Sequence, residues 1–387
     1  MNKYNLDLRN IPKELLLIID IINDKEIGDK NLLEDIDWEA FTDLILHHRL
    51  YPYIYPILSN YVGDKIPRVV LDKLKIYHNF NTFNMMYLSG EMEKLAKIFK
   101  SNDIRAIFLK GPFLGSFIYG DINLRTSSDI DVLIPLKDLE KVEAFLVKLG
   151  FQKDDYIKTI LNDWKWRHHH ITYSDPTNKV KIELHWRLNP GPSIEATFEE
   201  LWERRQTCAL SKNYAYQLSI EDMFIFLVTH GARHGWSRLR WLLDIHYLAS
   251  KQINWRDTNE LLRKYNNSHL CGQALILSSN IFRTKLTQEQ KKLLCKSNTS
   301  MKLAQGAVFY IERMVNLHNH PLPEEIAQYH KKHLFSLMST KQKFMTVLSY
   351  LHPYPLDAEL FPLPKHLHIL YFPLRPLLWF LRKKVFQ

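Results

Sequence analysis

The segment DIDVLIP, residues 129–135, constrains this chain more than any other stretch, because it sets two carboxylates into an apolar run. Its β-branched and aliphatic residues, closed by Pro135, predict a strand. Side chains alternate faces along a strand. Asp129 and Asp131 therefore point one way while Ile130, Val132 and Ile134 point into a core. Carboxylates held beside a core without a partner are costly. Two that project together suit a hard divalent cation such as Mg2+, which takes oxygen ligands and keeps several waters.

The flanking sequence supplies what such a cation needs. Upstream, IRAIFL (residues 104–109) reads as a short strand closed by Lys110-Gly111. Pro112 then opens a helix, FLGSFIY, that ends at Gly120-Asp121. Lys110 offers a point charge and Gly111 allows close backbone approach. The helix start turns free N–H groups toward an anion. Arg125 can fork onto a phosphate, and Ser127 and Ser128 can donate hydrogen bonds. Downstream, KVKIELHWRL reads as another strand, with Glu183 and His185 on one face and Ile182, Leu184 and Trp186 on the other. If the two strands are neighbours, Glu183 completes a three-carboxylate cluster. Such a cluster can hold two metals about 4 Å apart, one activating an attacking hydroxyl and one clamping a triphosphate.

The rest of the chain fixes the class as α+β. Residues 1–100 carry apolar residues at helical spacing in PKELLLIIDIIN, DWEAFTDLILHHRLYPYIYPIL and GEMEKLAKIFKSN, with starts at Pro12 and Asp37. The small mixed-sheet core occupies 101–190, where LKDLEKVEAFLVKLGF is a helix stopped by Gly150 and HHHITYS a further strand. After Pro190-Gly191-Pro192 the pattern returns to helices through 191–387. There SIEDMFIFLVTHGARHGWSRLRWLLDIHYLAS reads as two helices broken near Gly231–Gly235.

At 387 residues, with 46% hydrophobic and 24% charged content, the chain reads as a folded protein of two or three units. Lys and Arg exceed Asp and Glu by 52 − 42 = +10, which favours anionic partners such as nucleotides. Cys208, Cys271 and Cys295 show no Cys-x-x-Cys spacing, which points to a reducing compartment and away from disulfides or a zinc ribbon. With no apolar leader and no spanning run, the expected location is cytoplasmic. From Lys365 the tail holds Lys365, Arg375, Arg382, Lys383 and Lys384 against no acid, a basic aromatic segment suited to weak contact with a membrane surface. It lacks a basic stripe interleaved with aromatics on a sheet, so no strong nucleic-acid signal exists.

Histidines gather near these motifs. Alternation sends His168 and His170 one way and His169 the other, which brings His170 toward the nucleotide or acceptor. His185 accompanies Glu183. His230 and His234 have the His-x-x-x-His spacing, but Gly231 stands where a zincin needs Glu, so zinc is not expected. They read as packed histidines, or as groups on a helix leaning over the site together with Arg233. Arg240, Trp241 and Asp244 read as a helix-packing network. Trp164, Trp166 and Trp186 are candidates to stack a base, although most tryptophans are core.

Together FLKG, LRTSSDIDVLI, IELHWRL and HGARHGWSRLRWLLDIHYL resemble the polymerase-β-type nucleotidyltransferase superfamily. More narrowly they resemble the bacterial proteins known only as nucleotidyltransferase family proteins. The resemblance covers about residues 80–250. It implies a nucleotide and metal site at Asp129, Asp131 and Glu183, with two Mg2+ ions, or Mn2+ in their place. The superfamily's glycine-led turn lies nearer the first aspartate than Gly111. Gly115-Ser116 has that spacing but falls inside the expected helix, so Lys110-Gly111 is favoured.

The expected activity is transfer of a nucleoside monophosphate from an NTP to an acceptor, which a small molecule, peptide, sugar or protein could supply. Two alternatives stand beside it. One is a nucleotide-sugar glycosyltransferase using Asp-x-Asp with Mn2+, against which the helical first 100 residues argue. The other is a non-catalytic nucleotide-binding scaffold of the same fold.

Overall fold

The structure, a computed structural model, describes residues 4–24, 33–61, 65–177, 180–208, 210, 215–294, 298–319 and 321–385. Its centre is a mixed sheet of seven strands in the order β3-β4-β5-β2-β1-β7-β6. These are β1 (Ile107–Phe108), β2 (Ile130–Leu133), β3 (Gln152–Lys153), β4 (His170–Ser174), β5 (Lys181–His185), β6 (Gln206–Thr207) and β7 (Tyr216–Gln217). The chain is α+β, as its patterning predicts.

β2 runs parallel to β5 and antiparallel to β1, and β4 runs antiparallel to β5. The expected strands are present but shorter at their ends. IRAIFL contributes only β1, because Pro112 cannot extend the ladder and the chain turns at Gly111. Two strands depart from the expectation of helices after residue 190. β6 and β7 pair with each other, and β7 lies parallel to β1 on the sheet's far side. Two-residue strands leave too little alternation to be read from sequence.

The sheet separates two apolar clusters. Ile130, Val132, Ile134, Ile171, Tyr173, Ile182 and Leu184 face one cluster, with Val142 and Leu146 of the Leu139–Lys148 helix and Leu88–Phe99 of the long helix. Ile107, Leu109 and Leu133 face the other, which draws together helices from both ends of the chain. The long helix, Arg68–Ser101, gives Val70 and Leu74 to the second cluster and Met92, Leu95 and Phe99 to the first. Every described element before β1 is a helix. Asp37 caps the Trp38–His47 helix by accepting from the N–H groups of Glu39 and Ala40.

The HGARHGW segment breaks as its glycines suggest. The helix Ile220–Arg233 runs through Gly231, where an added Cβ would lie 2.3 Å from the Trp236 ring. Gly235 then takes φ +61°, and the next helix is Leu239–Ala249. The tail departs from its expected basic character at Arg375, which is buried and bonded to Asp357 at 2.5 Å. The Tyr371–Val385 helix continues past Pro376. Among the described residues, no helix is long and apolar enough to cross a membrane.

Candidate active site

The parallel pairing of β2 and β5 sets Asp131 opposite Glu183 and Leu133 opposite His185. β4 adds His170 opposite His185 and Thr172 opposite Glu183. Paired residues share a face, so acids and histidines collect on the side away from the Val132 and Ile182 cluster. Asp131 has no exposed surface, and Lys110 Nζ lies 3.0 Å from its Oδ1. His185 Nε2 lies 3.2 Å from the same oxygen and 3.4 Å from Glu183 Oε2. His170 Nε2 stands 4.0 Å from Glu183 Oε2.

The electrostatics follow from this packing. Burial opposes a charge on His185, yet the hydrogen bonds to Asp131 and Glu183 outweigh it and raise its pKa. Burial likewise opposes the Glu183 carboxylate, but His185 and then the Lys110 charge hold it down at about 2. His170 falls to about 4, through burial and then the repulsion of His185. Asp131 Oδ2 is buried and has no hydrogen-bond partner. Among the described residues, the ligand atoms of Asp131, Glu183 and His185 lie within 4.8 Å of one another, as do those of His169, His170 and His185.

Asp129 sits just before β2, half-buried, outside both groups. Ser127 Oγ donates to its carbonyl at 3.1 Å, and Ser128 Oγ to its carboxylate at 3.3 Å. The long helix holds this loop from behind, Asn84 Nδ2 donating to the Ser127 carbonyl at 2.8 Å. Gly111 caps the Pro112–Tyr119 helix at φ +93° and ψ −155°, with Met92 Sδ 3.1 Å from where a Cβ would stand. That conformation is open to glycine and strained for other residues.

These groups open into one cleft of about 770 Å³. Its walls carry Lys110, Ser127, Ser128, Asp129, His170, Glu183 and His185, and the Ile220–Arg233 helix with its C-cap residue adds His230, Arg233 and His234. Seven cationic side chains (Arg49, Lys110, Arg125, Lys181, Arg233, Arg238, Arg240) meet three lining carboxylates, Asp129, Asp154 and Glu183. Asp131 lies fully buried beneath this lining, bonded to Lys110 and His185.

A family described as an uncharacterised nucleotidyltransferase matches residues 34–283. The chain belongs to this family. No curated protein matches the chain. The family match spans every cleft residue named above and stops short only of His318, a further wall residue.

Membership in this nucleotidyltransferase family gives the cleft its context, and several expected residues stand differently within it. Arg125, expected to fork onto a phosphate, is 2% exposed and turns its fork onto Asp244, with Nε 3.1 Å and Nη2 3.1 Å from Oδ2. Its Nη1 donates to the Thr126 carbonyl. Asp244 therefore serves packing, as read from the sequence, while Arg240 and Trp241 also line the cleft. Gly115 sits inside its helix against Ile122, away from the cleft.

Alternation does not separate His169 from His170, because β4 begins only at His170. The two rings touch at 3.1 Å, and Arg233 Nη1 lies 3.4 Å from His169 Nε2. His230 and His234 pack ring to ring at 4.6 Å beside Trp241 and, among the described residues, join no three-ligand group. Trp164 and Trp186 meet edge to face at 5.0 Å beside a second cleft that Tyr173 also lines. Trp166 packs on Arg167 and His352. The cleft that holds the carboxylates is instead lined by the rings of Phe226 and Trp241. Arg49, Lys181 and Arg238 escaped the sequence reading, since nothing local ties them to the aspartates.

Proposed function

We propose that the chain transfers a nucleoside monophosphate from an NTP to an acceptor, releasing pyrophosphate. The pairing of Asp131 with Glu183 across β2 and β5, at the floor of a cationic cleft, carries this reading. Family membership supports the reaction class. An acceptor oxygen would attack the α-phosphorus as the bond to the β-phosphate oxygen breaks.

The donor set fits a divalent cation. Asp131 Oδ2 is an orphaned buried carboxylate oxygen, and Glu183 and His185 converge beside it. Asp131, Glu183 and His185 would hold one ion, and Asp129 would contribute to a second. A bound cation would polarise the α-phosphate and acidify the acceptor hydroxyl. The imidazole in the set favours Mn2+ over Mg2+, which prefers oxygen alone.

The chain's own groups do the remaining work in this reading. Lys110 neutralises Asp131, and Ser127 and Ser128 orient Asp129. Glu183, with a pKa of about 2, is too weak a base to take a proton near neutrality. His170 beside it, neutral and at about 4 the stronger base of the two, would take the acceptor's proton as the new bond to phosphorus forms.

Calorimetric titration of each NTP, with Mg2+ and with Mn2+, tests the reading on the wild type and on an Asp129→Asn/Asp131→Asn double variant. Binding that requires both the metal and the carboxylates is expected. A folded wild type that binds no NTP under either metal overturns it.

A further inference from the structure

The cleft wall also holds a set of guanidinium groups that the acids do not balance. Arg238 is 8% exposed and Arg240 is 9% exposed, and both line the cleft with Arg49. Arg240 Nη1 bonds to Thr126, while its Nε is buried with no partner. Among the described residues, none of the three makes an ion pair within 4.0 Å. The nearby carboxylates are engaged elsewhere, Asp244 by Arg125 and Asp129 by Ser127 and Ser128.

The fold assembles this set from distant parts of the chain. His48 accepts from the Leu239 N–H through Nδ1 at 3.3 Å, and its carbonyl accepts from the Arg240 N–H at 3.3 Å. His47 Nε2 lies 3.2 Å from the Ser237 carbonyl. These contacts fasten the end of the Trp38–His47 helix to the start of the Leu239–Ala249 helix, which brings Arg49 beside Arg238. Arg49 takes φ +55°, a left-handed conformation that is strained for a non-glycine residue.

A buried guanidinium cannot shed its proton and is costly without an anion. Burial disfavours the charge on all three, and Arg49 adds its repulsion to both Arg238 and Arg240. A ligand with several negative oxygens relieves both penalties, and planar guanidinium forks match phosphate oxygens two at a time.

We propose that Arg49, Arg238 and Arg240 form a phosphate subsite that holds an oligophosphate or phosphate group of a substrate beside the acidic floor. The phosphate belongs either to the NTP or to the acceptor. Only that assignment rests on the nucleotidyl-transfer reading.

The test is calorimetric titration of inorganic tripolyphosphate, in buffer stripped of divalent cations, into the full chain. Arg240 also ties down Thr126, so Arg49→Gln and Arg238→Gln are the informative variants. Arg68→Gln, whose side chain is 94% exposed, is the charge-matched control. Thermal unfolding verifies that each variant is folded. Loss of one charged fork is expected to weaken tripolyphosphate binding about tenfold or more, with Arg68→Gln unchanged.

An NTP titration with Mn2+ then separates the sources. If both variants also lose NTP affinity, the subsite holds the donor's triphosphate. If NTP affinity persists while tripolyphosphate binding is lost, the subsite holds an acceptor phosphate. A wild type that ignores tripolyphosphate, or variants no weaker than Arg68→Gln, overturns the subsite whatever the NTP result. Loss confined to the two variants in a chain that binds no NTP sustains the subsite and sinks the proposed reaction instead.

Discussion

At the scale of single residues, the two aspartates of one motif carry different burdens. Asp131 has no exposed surface and is bonded to Lys110 and His185, so its charge is built into the packing of the sheet. Asp129 is half-buried, and among the described residues two serine hydroxyls hold its carboxylate. Asp129→Asn is expected to lower turnover at least about hundredfold while shifting stability by no more than about 0.5 kcal/mol. Asp131→Asn is expected to lower turnover at least as much, but it also leaves Lys110 without its counter-charge. The prediction is a fold that survives with a clearly lower unfolding midpoint, read by urea denaturation beside pyrophosphate release. Equal midpoints for the two variants would count against the division. The motif was legible from sequence, but strand alternation alone cannot tell an exposed strand end from a buried floor.

At the scale of elements, the decisive contact is the clamp between the loop before β2 and the Leu239–Ala249 helix. Arg125 and Asp244 meet with side chains 2% and 0% exposed, and Tyr119 donates to Asp244 at 2.8 Å. Removing one partner of a buried pair strands the other, at about 3–5 kcal/mol. Arg125→Met is therefore expected to destabilise by about that amount. Arg125→Met/Asp244→Leu should recover much of the loss, because the pair is removed together. Were Arg125 a phosphate ligand, the single variant would unfold like the wild type and lose NTP affinity instead. Sequence reading found both residues but gave Arg125 a ligand, since its true partner lies 119 positions away.

At the scale of the whole molecule, burial of histidines links stability to pH. His48 is buried where the Trp38–His47 and Leu239–Ala249 helices meet, His230 and His234 stand in the cleft wall, and burial lowers the pKa of all three well below the usual value. The folded chain keeps them neutral, whereas the unfolded chain protonates them below about pH 6.5. The unfolded state then binds more protons, so stability falls as pH drops below that point. His185 works the other way. Its raised pKa adds stability below about 6.5 that is lost as pH rises through its folded value. His170 and His333 are lowered as well, so the lowered histidines outnumber His185 and predict a net fall, with each contributing up to about 1.4 kcal/mol per pH unit. Urea midpoints at pH 7.5 and 5.5 measure it, and a flat or rising profile would contradict it.

The sequence by itself determined the α+β class, the β2 and β5 strands and the helix break after Gly231, because alternation, proline and glycine act locally. Tertiary structure alone decided that Asp131 is a buried floor and that Arg125 packs against Asp244. It also decided that β6 and β7 extend the sheet, and that Arg49 stands with Arg238 and Arg240. Each of those facts depends on which distant segments share a low-dielectric space. A charge's role there is set by its neighbours, and residue spacing along the chain does not encode them.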